Sequence, residues 1–135
     1  MTRYLLDTSI AIAVIQGAEP AFGRAEVAIA DGLVVISTCS VGELYFGVHA
    51  GAQPEKERAA VAELMGAVEV IDYDEAAARE YGRLRAAMRS LGHIIPPVDT
   101  QIAATALVYD LVVASADKHF LLVPDLKVEN WLLEP

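Results

Sequence analysis

Short apolar runs alternate along the chain with longer stretches in which apolar residues recur every three or four positions. The short runs are rich in β-branched residues, which is typical of strands buried on both faces of a parallel sheet. We predict strands at Arg3–Leu6, Leu33–Ile36, Val68–Ile71, Leu111–Ala114 and Lys127–Val128. We predict helices at Ile10–Gln16, Pro20–Ala30, Val41–Ala50, Glu55–Met65, Glu75–Leu91 and Thr100–Tyr109.

This alternation predicts an α/β fold with a central parallel β-sheet of four to five short strands, flanked by helices on both sides. The chain has 135 residues, which suits a single domain spanning residues 1–135. Proline is expected near helix starts at Pro20 and Pro54, and glycine near helix ends at Gly17, Gly32 and Gly51.

The stretch Glu75–Leu91 shows the clearest helical periodicity. Its apolar face consists of Ala77, Tyr81, Leu84, Met88 and Leu91. Its remaining positions include Arg79, Arg83, Arg85 and Arg89. The simplest interpretation of these arginines is a solvated helix face, and the alternative is a basic strip beside an active site.

Hydrophobic residues make up 55% of the chain, which is enough for a packed core and unlike a disordered composition. No apolar run approaches the ~20 residues of a membrane-spanning helix, and the N-terminus lacks the pattern of a secretion signal. The single cysteine, Cys39, can form no internal disulfide, and we interpret it as a small buried apolar residue in a reducing compartment. The chain is therefore expected to be cytoplasmic, with no membrane segment.

The net charge is −9, which argues against nucleic-acid binding through a broad basic surface. Part of the acidic excess could be a cluster of metal ligands, whose charge bound cations would neutralise. An acidic surface also suits a basic partner protein.

Four acidic residues follow predicted strands or lie near predicted helix starts. Asp7, Glu43 and Asp117 come after the first, second and fourth predicted strands, and Asp99 directly precedes the last predicted helix. Each acid has a local interpretation. Asp7 or Asp99 could be a helix N-cap, Ser40-x-x-Glu43 could be a capping box, and Asp117 could be a turn residue.

Sheet topology adds a second interpretation of these acids. The carboxyl ends of parallel strands lie at one edge of a sheet, where such folds bind ligands. Acids gathered there repel one another, and Mg²⁺ or Mn²⁺ would relieve the repulsion because hard cations prefer oxygen ligands. One or two such cations can activate water against a phosphodiester and stabilise the leaving oxygen. The chain has no Gly-rich phosphate loop, and His49, His93 and His119 lack zinc-site spacing.

Four segments, in order, resemble the motifs of the PIN-domain family. They are Leu5–Ser9, Ser40–Gly47, Pro96–Ala106 and Ser115–Phe120, followed by a tail resembling the family's at Leu126–Trp131. The resemblance therefore covers nearly the whole chain.

The resemblance implies a PIN-like fold and, within that family, a VapC-type toxin of a type II toxin–antitoxin pair. Such toxins are Mg²⁺- or Mn²⁺-dependent endoribonucleases that cleave RNA by in-line attack of a metal-activated water. They are held inactive by a VapB-type antitoxin, and we expect a homodimer within a toxin–antitoxin hetero-oligomer. The apolar faces of Ile10–Ile15 or Val41–Val48 could form the dimer contact, although core packing explains them equally well.

The resemblance also implies roles for individual residues. Asp7 and Asp99 would be the principal metal ligands. Glu43 would bind a second cation or orient water, and Asp117 would bind directly or through water. The supporting residues would be Thr8, Ser9 and Ser115.

Other functions remain open at this point. The chain could be a PIN-like binding module with weak or no catalysis, or a housekeeping RNA-processing nuclease. The family often has Asn where this chain has Ser9 and Val98, which changes the polar support of the acids but removes no carboxylate. A phosphoacceptor receiver domain is disfavoured because the first acid is lone and Lys118 follows an acid. An Asp-x-Asp phosphatase is disfavoured because Ser9 occupies its second position.

Overall fold

The structure, a computed structural model, describes residues 1–134. Within these residues the strands are Tyr4–Leu6 (β1), Val34–Ser37 (β2), Glu69–Ile71 (β3), Val112–Ala114 (β4) and Val128–Glu129 (β5). The α-helices are Thr8–Ile15 (α1), Ala21–Ala30 (α2), Thr38–Ala50 (α3), Pro54–Ala67 (α4), Glu75–Ser90 (α5) and Pro97–Tyr109 (α6). A 3₁₀ turn at Lys118–Leu122, which the sequence pattern did not predict, follows β4.

The strands form one sheet in the order β3-β2-β1-β4-β5, and every neighbouring pair is parallel. β1 lies in the middle, where Leu5 is paired with Val35 on one side and Val113 on the other. The parallel α/β fold predicted from the sequence is confirmed. Because all strands run the same way, the loops after β1, β2 and β4 meet at one edge.

Side chains of successive strand residues enter different cores, one on each face of the sheet. Leu6 and Ile36 pack in a cluster with residues of α1 to α4. Leu5 and Val35 pack in a second cluster with residues of α5 and α6. Both faces of the strands are therefore covered, which explains why the sequence shows continuous apolar runs rather than alternation.

The apolar faces considered for a dimer contact are mainly used in the core. In α1 and α3, Ile10, Val14, Leu44 and Val48 are buried. Ile12 and Phe46 stay exposed, at 42% and 74%. Within residues 1–134, no helix is both long and apolar enough to cross a membrane.

Two helices, α3 and α6, begin three residues before their predicted starts at Val41 and Thr100. α3 begins at Thr38 because the Ser37 hydroxyl accepts the backbone N–H of Cys39 at 3.1 Å and caps the helix. Glu43 therefore lies beyond the first turn, so the predicted Ser40-x-x-Glu43 capping box does not form. α6 begins at Pro97, which places Asp99 inside its first turn rather than at the N-cap. Proline suits this first position because its missing N–H would have had no helical partner.

Candidate active site

Asp7 directly follows β1 and is the buried acid at the carboxyl edge of the sheet, with 5% of its surface exposed. Its Oδ1 accepts the backbone N–H of Thr8 at 2.8 Å, so it caps α1 as the sequence predicted. Its Oδ2 accepts hydrogen bonds from the hydroxyls of Ser9 at 2.9 Å and Ser115 at 2.8 Å. These three donors hold the carboxylate in one orientation.

Ser115 connects the loop after β4 to Asp7. While its hydroxyl donates to Asp7, its oxygen accepts the backbone N–H of Asp117 at 2.9 Å. Asp117 in turn accepts the backbone N–H of His119 at 2.9 Å, which begins the 3₁₀ turn. The predicted turn role of Asp117 is therefore confirmed, and one buried serine aligns two acids from different strands.

Asp99, Asp117 and His119 form the tightest group of ligand-type atoms in the described part of the chain, all within 4.8 Å of one another. His119 Nδ1 lies 3.4 Å from Asp99 Oδ2 and 3.1 Å from Asp117 Oδ1. Asp7 lies outside this closest group. Sequence reasoning missed His119, which lies within the fourth motif. Its position two residues after Asp117 was the signal that it would join the same loop.

Asp99 has the clearest electrostatic signature of the site. Burial, followed by the charges of Asp7 and Asp117, raises its pKa from 3.8 to about 6, and the nearby His119 opposes this rise. The negative charges of Asp7, Asp99 and Asp117 are therefore close together in a partly buried site, which disfavours the ionised form of Asp99. A divalent cation would remove this penalty, and carboxylate oxygens are the ligands that Mg²⁺ and Mn²⁺ prefer. The residues present therefore fit a metal site.

Glu43 is placed beside the site rather than within the closest group. The Thr8 hydroxyl donates to Glu43 Oε1, and it lies 3.2 Å from the Ser40 hydroxyl oxygen. Because Thr8 is the first residue of α1 and directly follows Asp7, this contact ties α3 to the end of β1. The Glu43 side chain is otherwise exposed.

A parallel α/β fold with carboxylates gathered beyond β1 and β4 defines a class of α/β proteins whose candidate ligand site lies at the carboxyl edge of the sheet. A family model described as the PIN domain matches residues 4–126. The chain belongs to the PIN domain family.

Two curated relatives align over nearly the whole chain. The tRNA(fMet)-specific endonuclease VapC of Shigella flexneri is 31% identical over 97% of this chain and 99% of its own. The ribonuclease VapC of Haemophilus influenzae (strain 86-028NP) is 30% identical over 98% of this chain and 100% of its own.

Solved structures show the same fold at close superposition. DNA-bound VapBC from Salmonella typhimurium gives a TM-score of 0.90 at 30% identity, covering 97% of this chain and 99% of that chain. VapBC2 from Rickettsia felis, bound to a DNA fragment from their promoter, gives a TM-score of 0.90 at 25% identity, covering 96% and 99%.

Proposed function

We propose that this protein is a metal-dependent endoribonuclease and the toxin of a VapBC-type toxin–antitoxin pair. The observation that carries the proposal is the convergence of Asp99 and Asp117 beside the buried Asp7, with the pKa of Asp99 raised to about 6. Relatives that match along almost the full chain and bear the name VapC are ribonucleases, which supports the RNA substrate. Residues 1–135 would act as one PIN domain.

Asp7, Asp99 and Asp117 would hold Mg²⁺ or Mn²⁺, and Glu43 would bind a second cation or orient water. When bound, the cation would lower the pKa of water at the site and stabilise negative charge on the phosphodiester. The chain's own residues prepare this site: the hydroxyls of Ser9 and Ser115 orient Asp7.

Three further contacts complete the arrangement. Thr8 positions Glu43, and Ser115 positions the backbone of Asp117. His119 Nδ1 lies within 3.4 Å of Asp99 Oδ2 and 3.1 Å of Asp117 Oδ1 and so connects the two acids. With these contacts made in advance, little reorganisation remains when a phosphodiester enters, which is where much of the rate acceleration in phosphoryl transfer arises.

Purified protein without antitoxin is expected to cut total cellular RNA into discrete fragments with Mg²⁺ or Mn²⁺, and to stop cutting when a chelator is added. The Asp7→Asn variant should be inactive yet folded, because the Asn side-chain oxygen can still accept the N–H of Thr8 and cap α1. Its amide group would then donate to the hydroxyl oxygens of Ser9 and Ser115, which can rotate to accept. Cleavage is read on denaturing gels, and mapping the fragment ends should find 5′-phosphates. Full activity in chelator, or in Asp7→Asn, would contradict the metal site. Folded, metal-binding protein that cuts no RNA pool would favour the PIN-like binding module. An active nuclease that no neighbouring gene product inhibits would favour a housekeeping nuclease.

The proposed partner is a VapB-type antitoxin. The solved relatives include VapBC complexes, and an arginine fork from a partner would match the carboxylates of this acidic chain in geometry and charge. We expect the product of a small adjacent gene to co-purify with this chain and to abolish its cleavage of RNA. Changing both Asp99 and Asp117 to Asn should weaken this complex, so that the partner no longer co-purifies.

Analytical ultracentrifugation should find two toxin chains per particle, and a monomer at micromolar concentration would exclude a stable homodimer.

A further inference from the structure

Helix α5 holds four of the ten Lys and Arg residues of this acidic chain. Arg79 pairs with Glu75 at 2.6 Å, and Arg83 pairs with Glu80. In the described residues neither Arg85 nor Arg89 takes part in a salt bridge, and both are exposed. The charges of Arg79 and Arg83 are therefore neutralised within the helix, whereas those of Arg85 and Arg89 are not.

The unpaired arginines lie at the end of α5 that is next to the acid cluster. Helices α5 and α6 pack against each other in antiparallel orientation. This orientation is shown by Tyr109 at the end of α6, whose hydroxyl donates to Asp74, the N-cap of α5. The last turns of α5 consequently face the first turn of α6. That first turn contains Asp99.

A groove of about 530 Å³ lies between these two helix ends. Arg85, Arg89 and His93 contribute polar groups to its lining, and Pro97 and Thr100 contribute the first turn of α6. Thr100 directly follows Asp99 in the chain, and consecutive Cα atoms are about 3.8 Å apart. The α6 end of the groove therefore lies one residue along the chain from Asp99, a member of the acid cluster.

Arg85 is already oriented for binding a planar or anionic group. Its Nη1 donates to the Tyr81 hydroxyl at 2.8 Å, and its Cζ lies 5.9 Å from the centre of the Tyr81 ring. A guanidinium has five donor hydrogens, so most remain available, and its fork matches phosphate oxygens. Aromatic and guanidinium planes also stack on the unpaired bases of single-stranded RNA.

We propose that Arg85 and Arg89 bind backbone phosphates of single-stranded RNA beside the scissile phosphate, so that this groove guides the strand to the acid cluster. The inference rests on the proposed ribonuclease function. It would allow a chain of net charge −9 to bind RNA without a broad basic surface, through a short positive strip near the first turn of α6. The simpler interpretation of these arginines, a solvated face, holds for Arg79 and Arg83, whose partners are on the same helix.

The test compares R85Q/R89Q with the matched control R79Q/R83Q, which also removes two positive charges from α5. In the active protein, R85Q/R89Q should raise KM for a single-stranded oligoribonucleotide about 10-fold or more while kcat changes by less than about 3-fold, because only substrate binding is weakened. In the Asp7→Asn background, fluorescence anisotropy at several salt concentrations gives the slope of the logarithm of the binding constant against the logarithm of the salt concentration. For R85Q/R89Q this slope should be smaller in magnitude by about 1.4, because each phosphate that is no longer neutralised lowers it by about 0.7. R85K/R89K should retain most of the salt slope, and thermal melting should confirm that all variants fold.

Two results would overturn the inference: binding by R85Q/R89Q that equals that of R79Q/R83Q, or equal changes of KM in the two double variants. If the wild-type protein cuts RNA in that case, the proposed ribonuclease function stands without the inference. If the wild-type protein cuts no RNA but R85Q/R89Q still selectively weakens oligoribonucleotide binding in the Asp7→Asn background, the groove stands as an RNA-binding site and the nuclease proposal fails.

Discussion

Replacing Asp99 with Asn is expected to abolish metal-dependent RNA cleavage and, at neutral pH without metal, to make the protein harder to unfold. The loss of activity should be at least about 100-fold, because a charged oxygen that would bind the cation is replaced by a neutral amide of the same shape. The gain in stability follows from the charges around Asp99. Its ionised form is disfavoured by burial and by Asp7 and Asp117, and Asn carries no such charge.

The pH dependence of this effect has a definite sign. The folded protein raises the pKa of Asp99 from 3.8 to about 6 and thus holds its proton more tightly than the unfolded chain does. The resulting contribution to the free energy of unfolding is fully present below the unfolded pKa and is lost as the pH rises through about 6. Asp99→Asn should remove this slope, so its advantage over wild type should be largest above that pH.

Urea unfolding with chelator, between about pH 5 and about pH 7.5, measures this difference. Asp31→Asn is a suitable control, because Asp31 is an exposed acid at the end of α2. It should leave both cleavage and the pH slope unchanged. Retained cleavage by Asp99→Asn would remove Asp99 from the proposed metal site, and a stability profile parallel to that of wild type would contradict the raised pKa of Asp99.

Replacing Phe120 with Ala is expected to lower the free energy of unfolding by about 3–5 kcal/mol, because a large side chain would leave a cavity in a packed core. Phe120 is fully buried and packs in the cluster that includes Leu5 and Val113. It lies in the 3₁₀ turn, directly after His119. The same change should therefore loosen the backbone that aligns His119 with Asp117.

Urea unfolding measures the stability change, and isothermal titration with Mn²⁺ measures its effect on the site. The neighbouring Leu121→Ala variant is the control: Leu121 is 70% exposed, so the change should be within about 0.5 kcal/mol. A loss below about 1 kcal/mol for Phe120→Ala would mean that the core closes around the missing ring and that the turn does not depend on it.

The strands and most helices followed from local pattern. Each predicted strand overlaps an observed one, because a run such as Val34–Ile36 must be buried on both faces and only a covered parallel sheet provides this. The edge at which the acids meet was also predictable, since Asp7 and Asp117 follow β1 and β4 closely in a sheet whose strands are all parallel.

Helix starts were less predictable where competing caps were close in sequence. Ser37 and Ser40 are both good N-caps, and the periodic apolar residues did not distinguish them. Ser37 is the cap because it is the last residue of β2, so its backbone is extended as an N-cap requires, and its hydroxyl accepts the N–H of Cys39. Cys39 itself, predicted to be buried, is half-buried at the edge of the core and lies near Gln101.

Residue type and spacing along the chain were enough to predict the parallel α/β fold and the edge at which acids gather, and the resemblance of four segments to PIN-domain motifs predicted the family. Other features depended on how the chain packs in three dimensions: Ser115 holds Asp7 from 108 positions away, His119 contacts Asp99 and Asp117, and the raised pKa of Asp99 arises from its neighbours. The packing of α5 on α6 likewise brings Arg85, and not Arg79, into a groove with Thr100, the residue after Asp99. Hydrogen bonds and Coulomb interactions depend on distance in space, and sequence spacing fixes that distance only within a single helix or turn.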